Sequence, residues 1–538
     1  MFDLLLTGGR IVDGTGGPER GGDVGVVDGR IVAVEPLAGA SARRTVDVTG
    51  LVLCPGFVDV HAHSDLTLLS GAGAQSKVRQ GVTTEVVGNC GLGPAPLPDG
   101  VDRGRLRAAI NHLDLDPSVC WTWRDFDAYL DTLAAARTSL HVAALVGHLP
   151  LRAAAVGHAD RPATPAELDR MRGLLAEALA AGAVGLSTGL VYAPARYADE
   201  HELVDLGRVV AESDGVFAWH LRDYADDLLD SVAQALRVGE RAGCRTQISH
   251  LVSVGRRNRG AAARALELVD AAAGRGLDVG VDIYPYLAGN TSLYQLIPGW
   301  AQEGGGPAML GRLRDSGVRD RIRAELAGHP LGWDEIVISR IPVGGPEGVV
   351  GRSVAGLAEQ AGRPGADVVM DLLVEYDNDV GMVAFGRDHD DLVAVLTHPL
   401  AVVGSDGYAL DPEGPTGIGM PHPRSYGTYP RILAEYVRTG ILDLADAVAK
   451  CTSRPASRIG IDDRGVIARG MVADLVAFDA DSVRDRATFD EPQRYPNGIR
   501  LVVVEGSVVV DEGRHTGARP GAVLRRRNDR KVESCRVP

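Results

Sequence analysis

The sequence predicts an α/β protein. Its parts are a (β/α)8 TIM-like barrel, a small β-sandwich domain built from both termini, and an inserted subdomain. Three observations carry this. Apolar strands alternate with Ala/Leu/Arg-rich helical stretches through the middle of the chain, which implies a parallel sheet. Both ends of the chain read as short strands joined by turns. Between Tyr286 and Leu400 a stretch of over a hundred residues breaks the alternation, far longer than an ordinary connection.

In chain order, Asp3–Leu6, Val24–Val27 and Arg30–Val34 are apolar or alternating. Asp28-Gly29 joins the last two, the pair that a two-residue hairpin with positive φ favours. Val46–Val52 is expected to supply a further strand. Near the other end Ala473–Phe478 and Leu501–Val504 read as buried strands, and Glu505-Gly506 turns into Val508–Val510. Residues 1–55 and 466–538 are therefore expected to form the joint β domain. The barrel is expected over 56–286 and 396–465. Its eight strands are Phe57–His63, Thr84–Val87, Val142–Val146, Val184–Leu186, Val216–Trp219, Thr246–Ser249, Val279–Ile283 and Ala401–Gly404. Pro165–Ala181, Ala225–Ala242 and Ala261–Gly274 have helical patterns between them. Residues 287–395, with apolar runs at Ile336–Ile341, Val368–Val374 and Met382–Phe385, are expected as a lid beside the barrel mouth.

Composition narrows the function. A net charge of −15 over 538 residues opposes binding to nucleic acid or to an anionic membrane. The short basic run Arg525–Arg527 reads as a solvated terminus. Six cysteines without regular spacing do not make a disulfide framework, and no run approaches the ~18–20 apolar residues of a membrane span. The apolar run Leu4–Leu6 is far shorter than a signal-peptide core, so a reducing, cytoplasmic location is expected.

Active sites of such barrels gather at the C-terminal ends of the strands. There the sequence places His61 and His63, Cys90, His220, His250 and Asp406. Side chains two apart on a strand share a face, so His61 and His63 aim one way. Imidazole and thiolate are good zinc ligands, and carboxylate completes such sets. Each residue alone reads more readily as structural; five strand ends supplying ligand types together point to a metal centre. His148 follows the third strand in a Gly-His-Leu-Pro turn and is left out of the set.

The motifs are Leu-Thr-Gly-Gly-Arg-Ile-Val-Asp-Gly-Thr-Gly near the start, Pro-Gly-Phe-Val-Asp-Val-His-Ala-His-Ser-Asp and Gly-Asn-Cys-Gly at 88–91. Later come Gly-Leu-Ser-Thr-Gly-Leu at 185–190, Tyr-Pro-Tyr at 284–286, Gly-Ser-Asp-Gly at 404–407 and His-Pro-Arg at 422–424. Over essentially its whole length the chain resembles the N-acyl-D-amino-acid deacylase (D-aminoacylase) family of the amidohydrolase superfamily. The Cys motif marks this branch. Many relatives carry a carboxylated lysine on the fourth strand; here Ser187 and Thr188 stand there. The resemblance implies that Cys90, His220 and His250 hold one Zn2+ tightly, and that His61, His63 and Asp406 face a second, weaker position. It implies that Asp406 takes a proton from water and delivers it to the leaving amine. The implied partner is a small-molecule N-acyl amino acid or related amide, and the oligomeric state stays open. Arg424 would be a fork for the substrate carboxylate, with Tyr284 in contact with the substrate. There are two departures: Val252 stands where the family commonly has a lysine, and Asn290 where it has a serine. Arg256 or Arg257, from the same loop as Val252, would be a replacement cation. Other readings are a cyclic-amide hydrolase of the hydantoinase or dihydroorotase type, a deacylase of another N-acylated peptide or amide, and a catalytically inactive scaffold. The absent fourth-strand lysine opposes the first, and the intact ligand set opposes the last.

Overall fold

The computed structural model describes residues 1–527 and 532–535. Eight parallel strands form the centre: Phe57–Asp59, Val82–Val87, His141–Gly147, Gly185–Gly189, Val216–His220, Arg245–Ile248, Val279–Ile283 and Ala401–Val403. Each pairs with the next. Just beyond the first and eighth strands, Ala62 and Gly407 form a parallel bridge that brings the ring near closure. The inner side is packed rather than hollow: Val58, Val86, Leu145, Val184, Ala218 and Val402 share one apolar cluster with Ala456, Ile459 and Leu524. The strands read as continuous apolar runs because helices cover their outer face.

Local signals set those helices. Pro165–Ala180 starts at a capping box between Thr164 and Glu167, with Pro165 in the first turn, where its missing N–H costs nothing. Leu228–Ala242 buries Leu228, Val232, Ala235, Leu236 and Ala242, a single stripe at helical spacing. It ends at Gly243, whose φ of 69° is left-handed.

A second sheet of nine strands draws on both ends of the chain, with Val52–Pro55 lying antiparallel to Leu475–Phe478. It has its own core of Leu4, Leu6, Val24, Val26, Leu475, Leu501 and Val503 among others. The hairpin at Asp28-Gly29 has φ of 48° and 73°, as its sequence requires.

Four local expectations need correction. Val46–Val52 is two strands, Ala42–Asp47 and Val52–Pro55. Asp47 accepts the Thr49 N–H and Gly50 has φ 82°, which turns the chain between them. Val523–Arg526 leaves the terminal sheet and pairs in parallel with Val142 and Ala143 of the third barrel strand. The run Arg525–Arg527 is accordingly no solvated tail: Arg525 bonds Asp127 and Asp131, and Arg526 is buried. Finally, helix His389–Thr397 packs on the barrel helix Ala261–Gly274, so the barrel resumes before residue 396.

The insertion contributes a three-stranded antiparallel sheet, Ala288–Ser292, Gly381–Phe385 and Ile336–Arg340. The helices around it include Gly365–Glu375. Among the described residues no helix is long and apolar enough to cross a membrane.

Candidate metal centre and substrate cavity

All six candidate ligands meet at the C-terminal mouth of the barrel. Cys90 is the hub. Its Sγ lies 3.3 Å from His61 Nε2, 3.3 Å from His220 Nδ1 and 3.5 Å from His250 Nε2. Asp406 Oδ1 lies 3.4 Å from His61 Nε2 and 2.9 Å from His63 Nε2. One ligand atom each from His61, Cys90, His250 and Asp406 fall within 4.8 Å of one another. The expected tight and weak groups are thus one continuous cluster, with His61 touching both.

The backbone is bent to achieve this. Cys90, His250 and Asp406 have φ of 56°, 35° and 51°, a region that L-residues with side chains rarely adopt. Such strain persists where the surroundings fix it, and it concentrates at functional sites. The Gly-Asn-Cys-Gly motif has a packing reason as well. At Gly88 (φ 80°) a Cβ would come within 2.1 Å of the Leu145 carbonyl oxygen, and at Gly91 (φ 70°) within 2.4 Å of the Gly189 nitrogen.

The chemistry of this donor set suits a cation. Burial pushes the Cys90 thiol up to about 11 and pushes His220 down to about 3. Neutral imidazoles are the ligating form, and a bound cation would displace the thiol proton. For His61, burial opposes the charge, but Asp282, Cys90 and Asp406 outweigh it and raise the imidazole well above its usual value. Burial also opposes the charge on Asp406, yet Arg424 and His61 hold its carboxyl well below the usual range. The residues present therefore fit a divalent metal.

Asp282 has a part that sequence reasoning missed. His61 Nδ1 is 2.9 Å from Asp282 Oδ1, which also accepts the His250 backbone N–H at 2.8 Å. With Nδ1–H donated there, Nε2 is the atom that His61 turns to the cluster, where a bound cation would take the place of its proton. The signal was available: Asp282 is a charged residue inside the apolar strand Val279–Ile283.

Other expectations fall out as follows. His148 is outside the cluster, bonded to Thr188 and Glu202. Ser187 and Thr188 occupy the fourth-strand position, and Ser187 bonds the backbone at Gly88 and Gly91. A cavity of about 140 Å³ opens onto the cluster. Tyr284 and Asn290 line it, as do Val252, Val254, Phe385 and Arg387. Asn290 spends its amide N–H groups on Ser339 and the Met382 carbonyl. Arg424 stands behind the wall, fully buried, 2.7 Å from Asp406 Oδ2 and donating to the Tyr284 hydroxyl at 2.6 Å. Arg256 and Arg257 point elsewhere, to Glu335 and Asp226. Arg387, which comes from the insertion, was not foreseen.

A family model described as "Amidohydrolase family" matches residues 44–510. The chain is 38% identical to an N-acyl-D-glutamate deacylase of Alcaligenes xylosoxydans xylosoxydans, over 98% of this chain and 97% of that one. It is 36% identical to a D-aminoacylase of the same organism, over 98% of each. In structure it matches an N-acyl-D-glutamate deacylase from Bordetella bronchiseptica, complexed with zinc and a phosphonate mimic of the tetrahedral intermediate. That match has a TM-score of 0.83 and 36% identity, and covers 97% of this chain and 99% of that one. The chain therefore belongs to the N-acyl-D-amino-acid deacylase (D-aminoacylase) family of the amidohydrolases, metal-dependent hydrolases of linear amides.

Proposed function

We propose that this protein hydrolyses the amide bond of N-acyl-D-amino acids, releasing a carboxylate and a D-amino acid. The observation that carries the reading is the single buried cluster of Cys90, His61, His220, His250 and Asp406 opening onto one cavity. In this reading Cys90, His220 and His250 hold one zinc ion tightly, and His61, His63 and Asp406 face a second, weaker position. The mixed thiolate and imidazole set favours zinc. Zinc, when bound, polarises the scissile carbonyl and makes water more acidic. A reducing, cytoplasmic setting would suit a ligand that works as a thiolate.

Asp406 moves the proton. Arg424 and His63 hold its two oxygens from opposite sides, which orients the carboxylate and keeps it ionised. It accepts a proton from the attacking water and returns it to the leaving nitrogen, without which an amide leaves badly. Arg424 also donates to the Tyr284 hydroxyl. That leaves the Tyr284 proton available to the cavity, where the leaving amino acid would sit beside Asn290. The residues of the insertion that line the cavity, Ala384 to Arg387, would keep out bulk solvent other than the reacting water.

The test is a panel of N-acetyl-D- and N-acetyl-L-amino acids run beside hydantoin and dihydroorotate, with zinc measured in the purified protein. Turnover of the D-series, with zinc present, supports the reading. Turnover of cyclic amides alone, or of the L-series alone, would overturn it.

A further inference from the structure

Arg387 is unusual among the cations near the site. It follows strand Gly381–Phe385 of the inserted sheet and lines the cavity together with Val252, Val254 and Phe385. Among the described residues, no carboxylate stands within ion-pair distance of it, whereas Arg424 is held by Asp406, Arg256 by Glu335 and Arg257 by Asp226. Its Nη1 is buried and has no hydrogen-bond partner. Its guanidinium carbon lies 4.6 Å from the centre of the Tyr284 ring, the same distance as that of Arg424. The guanidinium therefore lies against Tyr284, which restrains the fork and reduces the freedom it has to lose on binding. The wall beside it, Val252 and Val254, offers no competing charge.

A buried N–H donor without a partner carries a desolvation cost that an incoming acceptor relieves. A guanidinium fork matches a carboxylate in shape as well as charge. We propose that Arg387 is the receptor for a carboxylate on the leaving half of the substrate. The inserted sheet thereby determines which amides this site accepts. The inference rests on the deacylase reading above. The carboxylate has two sources, the α-carboxylate of the amino acid or a side-chain carboxylate of an acidic one.

The test compares the wild type with Arg387→Met and Arg387→Lys. kcat/KM is measured for N-acetyl-D-leucine against its C-terminal amide, and for N-acetyl-D-glutamate against N-acetyl-D-glutamine. If the α-carboxylate is the ligand, the preference for N-acetyl-D-leucine over its amide falls about 10–100-fold in Arg387→Met and partly returns in Arg387→Lys. If the side-chain carboxylate is the ligand, the glutamate-to-glutamine preference falls instead. Both ratios staying within two-fold of wild type would overturn the inference. Calorimetric binding of D-leucine, D-leucinamide and D-glutamate to the same three proteins needs no turnover. A wild type that hydrolyses none of the four amides would defeat the deacylase reading. Carboxylate binding that is lost in Arg387→Met would still support the receptor. Binding equal in both proteins, or absent from the wild type, would overturn it.

Discussion

Replacing Asp282 by Asn tests whether the cluster is held together from behind. The wild-type carboxylate, only 3% exposed, accepts three hydrogen bonds: from His61 Nδ1 at 2.9 Å, from the His250 backbone at 2.8 Å and from Gln247 Nε2 at 3.1 Å. Asn keeps the shape but has one acceptor oxygen. If that oxygen serves His61 and His250, the new NH2 faces the Gln247 NH2, donor against donor. Gln247 cannot simply flip, because its Oε1 already accepts from Arg458 Nε. The variant therefore keeps the bond at His61 without its charge assistance and leaves two buried donors, the Gln247 amide and the new one, without an acceptor, each loss costing about 1–3 kcal/mol. Removing the anion also makes His61 easier to deprotonate, which works the other way and offsets part of the loss. The net expectation is binding at the second, weaker position, the one His61 faces, that is weaker by about 10–100-fold, the usual range for a lost outer partner of a ligating histidine. The assay is a zinc titration near neutral pH carried beyond one equivalent against a chelator of known affinity, so that the second binding step is read apart from the first, with kcat measured at saturating metal. An affinity within two-fold of wild type would refute the reasoning that Asp282 orients His61.

Three further outcomes follow from the same geometry. Asp406→Asn should lower kcat by about 10²–10⁴-fold in steady-state assays at saturating metal if, as proposed, it removes the proton carrier while leaving Arg424 and His63 in place. Lys77→Met should destabilise the fold by about 3–5 kcal/mol in denaturant unfolding. Its fully buried ammonium lies 2.7 Å from Asp59 and 3.1 Å from Glu85. Burial opposes that charge but the two carboxylates outweigh it and raise the Lys77 pKa, so the contribution is complete below the unfolded value of 10.5 and is lost only as pH rises through the higher folded value. The deficit should not shrink between pH 6 and 9, and should grow with pH wherever the buried carboxylates left without Lys77 are forced to ionise, because burial and Asp59 already raise Glu85; a deficit that shrinks steadily over that window would contradict this. Val252→Lys places a second cation on the cavity wall, and should raise kcat/KM for N-acetyl-D-amino acids by roughly 2–5-fold.

The barrel and the cluster of candidate ligands at its mouth were legible because each signal is local. An apolar run that ends in His, Cys or Asp can be read without knowing its neighbours, and all eight runs overlap a strand, although the first, expected to reach His63, ends at Asp59, so that His61 and His63 lie beyond it. The terminal sheet was legible for the same reason at Asp28-Gly29. Where the chain turns without a break in hydrophobicity, as at Thr49-Gly50, the turn was overlooked although Asp47-Val48-Thr49-Gly50 carries the composition of one. Arg387 was hidden for a different reason. It is 135 residues beyond Val252 in the chain, and only the folding of the inserted sheet over the barrel mouth brings the two to one wall. Arg525 and Arg526 likewise look like a basic tail until the strand that carries them, Val523–Arg526, is seen beside the third barrel strand. Asp282 is harder to read because it lies within the apolar strand Val279–Ile283 rather than at a strand end, where ligand-type residues mark a site.

X-ray absorption at the zinc edge reads directly whether the Cys90 thiolate binds the metal. In protein loaded with one equivalent of zinc, a sulfur neighbour at about 2.3 Å should appear beside nitrogen neighbours at about 2.0–2.1 Å, and the sulfur should vanish in Cys90→Ser. A zinc shell of nitrogen and oxygen alone in the wild type would contradict it.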